Sequence, residues 1–508
     1  MNHQDPDRHA VDDRSNPRES PGQGAPRRGT AGEDLRRTGA AVIDSLGRYL
    51  DDSLRGAERV VPLRPMAEIA ADLRARELIR SGGLGEGLGA WVESYLAATT
   101  RLHHPGSMAH QVGVPAPLSA LGELVQGVTN NPMAIFEMGP GAAALEMTVI
   151  EWMLQRAGWN APRWPGYASA PGSRSAGVLT HGGSLANLTA LLAARAAAAP
   201  EAWESGGLTD LVVVAPPSSH YSVARAASIL GLGARAVVAA PVDAREQILP
   251  DRLPGVCAGV RARGARVMAV VANACATATG LYDRLDEIAR CCEEGGYWCH
   301  VDGAHGATAL LSPRHRDRMK GVERASSLVW DAHKMLRAPC LCAAVLLRDE
   351  RWFDAAFHED ASYLFYGSQS EGFDFIHRTV ECTKSGLGLR AFVALALEGE
   401  RAIADYYEDR CALAARAAAL IRARPGFEVP FEPASNIVCF RWTAADNDGQ
   451  VAIRDALLRG GTHHLSSAEI GGTRYLRLSL MAPATTDETI ADVLDRVERL
   501  AAAGLARA

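Results

Sequence analysis

Residues 329–336 read Val-Trp-Asp-Ala-His-Lys-Met-Leu, which sets a histidine and a lysine side by side in apolar company. A buried ammonium is costly unless it is paired, neutralised or consumed by chemistry. Lys334 is therefore a candidate amine nucleophile toward a carbonyl. Other short stretches carry groups that suit the same use. His181-Gly182-Gly183-Ser184 is a glycine turn that opens an apolar helical run. Backbone N–H groups at such a turn can hold an anion, with the Ser184 hydroxyl as a further donor. Asp302 ends the run "YWCHV" and is followed by small residues, Gly303 and Ala304. His220 lies in "PPSSHYS" and Thr277 in "ANACATATG". A phosphate cradle, a carboxylate to keep a pyridine nitrogen protonated and a lysine for an aldehyde are what pyridoxal 5′-phosphate requires.

The elements that must position these groups alternate between strand and helix from about Pro117 to Gly399. The strands read "GVLT", "LVVVA", "RVMAVVA", "YWCHV", "SLVW" and "CLCAAVLL". Such continuous apolar runs suit a mostly parallel sheet buried on both faces, in a doubly wound α/β domain. Each candidate residue falls just beyond a strand, where open α/β sheets bind ligands. Residues 1–32 read as a disordered tail rich in Pro, Gly, Arg, Asp and Ser. Residues 33–115 read as a helical N-terminal arm, 116–405 as the large cofactor-binding domain, and 406–508 as a smaller α+β domain. In the last, strands "NIVCFRW" and "RYLRLSL" alternate with helices "QVAIRDALL" and "DETIADVLDRVERLAAAGL". Short helices are marginal alone, so the arm needs a partner surface, and packing on another subunit is one solution.

The segment "HVDGAHGATALLSPRHRDRMKGVERASSLVWDAHKML" resembles the core of the group II pyridoxal-phosphate decarboxylases, nearest to glutamate and cysteine sulfinate decarboxylases. The likeness runs from about Leu102 to the C-terminus and includes "GVLTHGGSLANL", "SSHYSVARAASILGLG", "ASYLF" and "LRLSLMAPA". It implies a fold type I enzyme that releases carbon dioxide from an L-amino acid, with an acidic amino acid (glutamate, aspartate or cysteine sulfinate) as the leading candidate. It also implies a homodimer with the active site at its interface. By position, Lys334 would bond the cofactor's aldehyde, Asp302 would pair with the ring nitrogen and His220 would stack on the ring. Gly183, Ser184 and His333 would hold the phosphate. Thr277 falls in the family's catalytic turn, although the usual Gly-Thr-Thr is missing here. Gln111, in "HPGSMAHQ", would lie near the cofactor and the substrate carboxylate. Arg477 would bind the α-carboxylate, a use that a guanidinium fork suits. Tyr363, in "ASYLF", matches a tyrosine on a mobile loop that returns a proton to Cα, together with His220. In its Schiff-base role the surroundings of Lys334 are expected to lower its pKa.

Three departures bear on the substrate. Asp331-Ala332 replaces the Asn-Pro of the nearest relatives, His305 stands where an aromatic is common, and Pro132 and Ala134 replace an Asn and a Phe of glutamate decarboxylase. Loss of that phenyl ring would widen the pocket. Oxidative deamination or transamination on the same fold is the alternative chemistry. Intact Tyr363 and His220 favour simple decarboxylation, and intact Lys334 and Asp302 argue against a non-catalytic binding protein.

The bulk properties agree. The chain has 508 residues, 47% hydrophobic composition and a net charge of −6, with no feature that calls for nucleic acid. No apolar run reaches the roughly 18 residues of a membrane span. The N-terminus lacks the apolar core of a signal peptide, and a cytoplasmic setting is expected. The ten cysteines lack zinc spacing and read as reduced, mostly buried thiols, so no metal is expected.

Overall fold

A computed structural model of the chain describes residues 30–161, 174–206, 210–357 and 372–504. Contacts divide them into two units, one of residues up to 49 together with 65–97, the other of 50–64 together with 98 onward. The first unit is helical. It holds most of the helix Ala31–Arg55 and the helices Met66–Asp72, Ala75–Ser81 and Leu88–Leu96. Within it Glu93 accepts from Ser45 Oγ at 3.1 Å and from Arg48 at 2.5 Å.

The second unit holds two sheets. Its strands are β1 (Ser107–Met108), β2 (Ala176–Thr180), β3 (Leu211–Ala215), β4 (Val237–Ala239), β5 (Arg266–Asn273), β6 (Trp298–Asp302), β7 (Ser327–Asp331), β8 (Ala343–Leu347), β9 (Phe427–Glu428), β10 (Ile437–Trp442), β11 (His464–Ile470) and β12 (Thr473–Ser479). The large sheet runs β2-β8-β7-β6-β5-β3-β4. All neighbours from β7 to β4 are parallel, and β8 alone runs against β7 and β2. Val213, Val270, Val301 and Val329 are all buried. Helices on both faces exclude water, which is why these strands are apolar throughout rather than alternating.

The helix Gly183–Ala198 follows β2 and packs against β8, β7, β5 and β6. Ala186, Ala190, Ala193 and Ala194 are fully buried along it. Their methyl groups let the helix lie close to the sheet, and this places its first turn at the carboxyl ends of β6 and β7.

The small sheet runs β1-β11-β12-β10-β9. The helices Asn447–Gly460 and Asp487–Ala502 accompany it, and each opens on a side-chain cap: Asp446 accepts from Gly449 N and Thr486 from Thr489 N. Two strand readings need correction. No strand is predicted over "HLSSAEI", which has no apolar run. It becomes β11 because it pairs with β12 on one side and β1 on the other, so position within the sheet overrides composition. "CLCAAVLL" yields a shorter strand, since Cys340–Cys342 form the turn that supports His333. The helix Leu387–Arg422, broken at Gly399 (φ 77°), carries the chain from the large sheet toward the small one.

Candidate functional site

A cavity of about 470 Å³ lies beyond the carboxyl ends of the central strands. Gln111, Gly183, Ser184, His220, Thr277, Asp302, His333 and Lys334 all line it. These residues span more than two hundred positions of sequence, and the ends of β2, β3, β5, β6 and β7 bring them together. Tyr363 lies outside the described residues. Arg477, on β12, does not line this cavity. It is 5% exposed, and its Nη1 donates to Ala109 O and Ser466 Oγ, each at 3.0 Å. Its Nε and Nη2 are buried with no partner, as is Gln111 Nε2. Burial pulls the Arg477 pKa down, opposed in part by the nearby Cys439 and Cys275 thiols. Neither Pro132 nor Ala134 lines the cavity. Ala134 is buried with its carbonyl taken by Ile376 N, so the wider pocket expected from that exchange is not seen at this cavity.

Asp302 is held by a row of buried hydrogen bonds that the sequence reading missed. Trp298 Nε1 donates to Ser327 Oγ at 2.8 Å, and Ser327 Oγ lies 2.7 Å from His300 Nδ1. His300 Nε2 lies 2.9 Å from Asn187 Oδ1. The Asn187 amide then gives one hydrogen to Asp302 Oδ2 at 3.0 Å and the other to Ser222 Oγ at 2.9 Å. Ser222 Oγ and Ser222 N both address His220 Nδ1, at 2.7 and 3.3 Å. A backbone N–H can only donate, so His220 Nδ1 accepts and the ring carries its hydrogen on Nε2. Burial lowers the His220 pKa, with Asp302 partly restoring it, and pushes His300 down to about 4. Both rings are thus neutral near pH 7. The signal for Asn187 was present in "HGGSLANL": an amide on the buried face of an otherwise apolar helix needs partners.

His305, which departs from the resembling family, is buried on the cavity wall. Its Nε2 lies 2.7 Å from Asn436 Oδ1, and its Nδ1 has no partner. Burial, and then the neighbouring Lys334 charge, push its pKa down to about 3.

At the other end of the cavity the turn after β7 meets the helix start. Gly182 has φ 105°, a conformation that side chains disfavour. A Cβ on Gly183 would come within 2.9 Å of both carboxylate oxygens of Asp331. The His333 ring donates from Nδ1 to Cys342 O at 2.7 Å. Lys334 Nζ lies 3.1 Å from Asp331 Oδ2. Here the expectation for Lys334 is corrected. Burial does pull its pKa down, but Asp331 and, next, Asp302 outweigh it, and the amine titrates above its ordinary value. The sequence displayed Asp331 three residues away without showing that the turn folds it back onto the ammonium.

This donor set fits pyridoxal 5′-phosphate. A glycine helix start, a buried carboxylate fixed by hydrogen bonds and a lone cavity lysine match the cofactor's anionic, basic and electrophilic ends in turn. Fold and site together define a fold type I pyridoxal-phosphate enzyme. Residues 97–443 match the pyridoxal-dependent decarboxylase conserved domain, and the chain belongs to that family of amino acid decarboxylases. It is 26% identical over 438 residues to L-2,4-diaminobutyrate decarboxylase of Acinetobacter baumannii, covering 82% of this chain and 83% of that protein. It is 27% identical over 392 residues to acidic amino acid decarboxylase GADL1 of Bos taurus, covering 73% of each. It is 26% identical over 486 residues to cysteine sulfinic acid decarboxylase of Rattus norvegicus, covering 91% of this chain and 96% of that protein. Among solved structures, mouse CSAD superimposes with a TM-score of 0.82 at 24% identity, over 92% of this chain and 99% of that one. Oryza sativa TDC, solved with PLP and tryptamine, gives 0.84 at 20% identity over 94% and 99%. Among the described residues no helix is long and apolar enough to cross a membrane, and no cluster of side chains could hold a metal ion.

Proposed function

We propose that this enzyme removes the α-carboxyl group of an acidic L-amino acid, with Lys334, Asp302 and His220 at the centre of the chemistry. The gathering of these three with Gly183 and Ser184 around one cavity carries the reading. Bound pyridoxal phosphate supplies an electron sink for the pair left behind when carbon dioxide departs. Asp302, fixed by Asn187, keeps the pyridine nitrogen protonated. Gly183, Ser184 and His333 would hold the phosphate and His220 would lie against the ring, while Thr277 lines the cavity wall. Lys334 anchors the aldehyde. The resemblance assigns the α-carboxylate to Arg477, whose Nε and Nη2 are unpartnered although it stands outside the cavity lining, and Gln111 offers its unpartnered amide from the lining itself. Tyr363, with His220, returns a proton to Cα.

The acidic class draws support from the similarity to acidic amino acid, cysteine sulfinic acid and L-aspartate decarboxylases. Carbon dioxide release from glutamate, aspartate, cysteine sulfinate, diaminobutyrate and aromatic amino acids should be fastest with one of the first three. A higher kcat/KM for diaminobutyrate would overturn the substrate class, and peroxide or ammonia in place of the amine would favour the oxidative alternative.

A homodimer is part of the proposal. Leu118, Leu121, Leu124, Val125 and Val128 are 46–61% exposed along one short stretch, an apolar surface that a second copy would cover. Light scattering should give twice the mass of one chain, and a monomer at micromolar concentration would refute it. The ten unpaired thiols support a reducing, cytoplasmic setting, which cell fractionation checks.

A further inference from the structure

The Asp331 carboxylate stands where an anion is to bind. It is 1% exposed. Its Oδ2 lies 3.1 Å from Lys334 Nζ and 3.6 Å from His333 Nε2, and its Oδ1 has no partner. Both oxygens occupy the space that a side chain on Gly183 would need, and Gly183 is the first residue of the sixteen-residue helix whose N–H groups would form the cradle. An unpartnered oxygen on a buried acid, aimed at that helix start, needs either a donor or a proton. A phosphate brought to the same place adds negative charge, and like charges in one buried site favour protonation of one of them.

We propose that Asp331 takes up one proton from solvent when a phosphate ester settles in the cradle. The carboxylate is the counter-ion of Lys334 beforehand. As a carboxylic acid it becomes a hydrogen-bond donor toward the phosphate and releases the Lys334 ammonium from its ion pair. This inference rests on the cavity being the pyridoxal-phosphate site. The other titratable groups that face Asp331 are His333 and Lys334 on its own turn, His220 after β3, and Cys340 and Cys342 before β8. His181, on the loop between β2 and the helix, is paired with Glu381, from the segment before the helix Leu387–Arg422. His333 is the competing proton acceptor. Its Nδ1 hydrogen is already given to Cys342 O, so only Nε2 is open to a proton.

The test uses cofactor-free protein and pyridoxamine 5′-phosphate, which has the phosphate and ring but no aldehyde to bond Lys334. Calorimetric titration in two buffers of different ionisation heat counts the protons taken up on binding. The wild type should take up about one proton more than Asp331→Asn, and its affinity should fall about tenfold per pH unit relative to the variant between about pH 7 and 8.5. Asn keeps the shape of Asp, and an unchanged melting temperature would confirm that the variant is folded. Equal proton counts would overturn the proposal and transfer the proton to His333 or the phosphate. Weaker binding by the variant at every pH, with the same slope, would overturn it as well, because the carboxylate would then act in its charged form. If neither protein binds the probe, the cofactor reading of the cavity falls with it.

Discussion

Lys334→Ala protein should carry no cofactor that borohydride can fix to it, and its decarboxylation rate should drop by about 10⁴–10⁶-fold, the range for loss of a residue from a covalent catalytic unit. The sequence makes this experiment unusually clean, because the 508 residues contain only three lysines, Lys320, Lys334 and Lys384. Lys320 is a surface residue, with its side chain 73% exposed and its ammonium 3.7 Å from Asp286. Lys384 is wholly buried and bound to Glu146. Only Lys334 offers an amine to a large cavity. Peptide mapping after borohydride treatment should therefore find the reduced cofactor on the peptide containing Lys334 and nowhere else. A Lys334→Ala protein that still retained borohydride-fixed cofactor would sink the assignment.

Lys384→Met should destabilise the enzyme by about 3–5 kcal/mol, the usual cost of stripping one partner from a buried ion pair. Both Lys384 and Glu146 have fully buried side chains. The other Glu146 oxygen accepts the Leu179 N–H of β2 at 2.8 Å, and Lys384 O accepts Met133 N at 2.8 Å. The pair thus ties the helix Pro140–Arg156 to an edge strand of the large sheet and to the segment before the helix Leu387–Arg422. Burial already raises the Glu146 pKa, against the pull of Lys384. Without the ammonium, an uncompensated carboxylate is left in the core, or it must bind a proton to stay there. The change should appear as a lower thermal midpoint at pH 7. The double variant Glu146→Gln/Lys384→Met should recover much of the loss, because the amide carries no charge and its oxygen still accepts the Leu179 N–H. A midpoint within error of the wild type for Lys384→Met alone would refute the argument.

What the sequence made legible follows from where each group stands in the chain. Asp302 and Lys334 each close an apolar run, and the glycine turn opens one, so a strand-by-strand reading places all three at the same sheet edge. The row behind Asp302 was not legible in the same way. Asn187 and His300 meet across 113 residues, and only the fold shows that one helix face and one strand face look at each other. Glu146 and Lys384, 238 residues apart, are a harder case of the same kind. Asp331 was noticed as a departure from relatives, yet its effect on Lys334 depended on a local fold-back that spacing alone does not specify. β11 was missed because its composition is that of a surface loop and its strand character comes from its two neighbours.

The row from Trp298 to His220 has a direction. The Asp302 carboxylate can only accept, so Asn187 turns its NH2 to it and its Oδ1 to His300, the neutral His300 ring keeps its hydrogen on Nε2, and the Ser327 hydroxyl points at Nδ1. Reversing these links would turn the Asn187 oxygen onto the Asp302 carboxylate, two acceptors with no hydrogen between them. The fold therefore writes a polarity into the site before any ligand arrives. While His220 is neutral, its Nε2 edge meets an incoming molecule as a giver of hydrogen. The cavity is thus biased toward oxygen-bearing groups over ammonium groups at that edge, by the Ser222 backbone N–H that holds the other ring nitrogen as an acceptor.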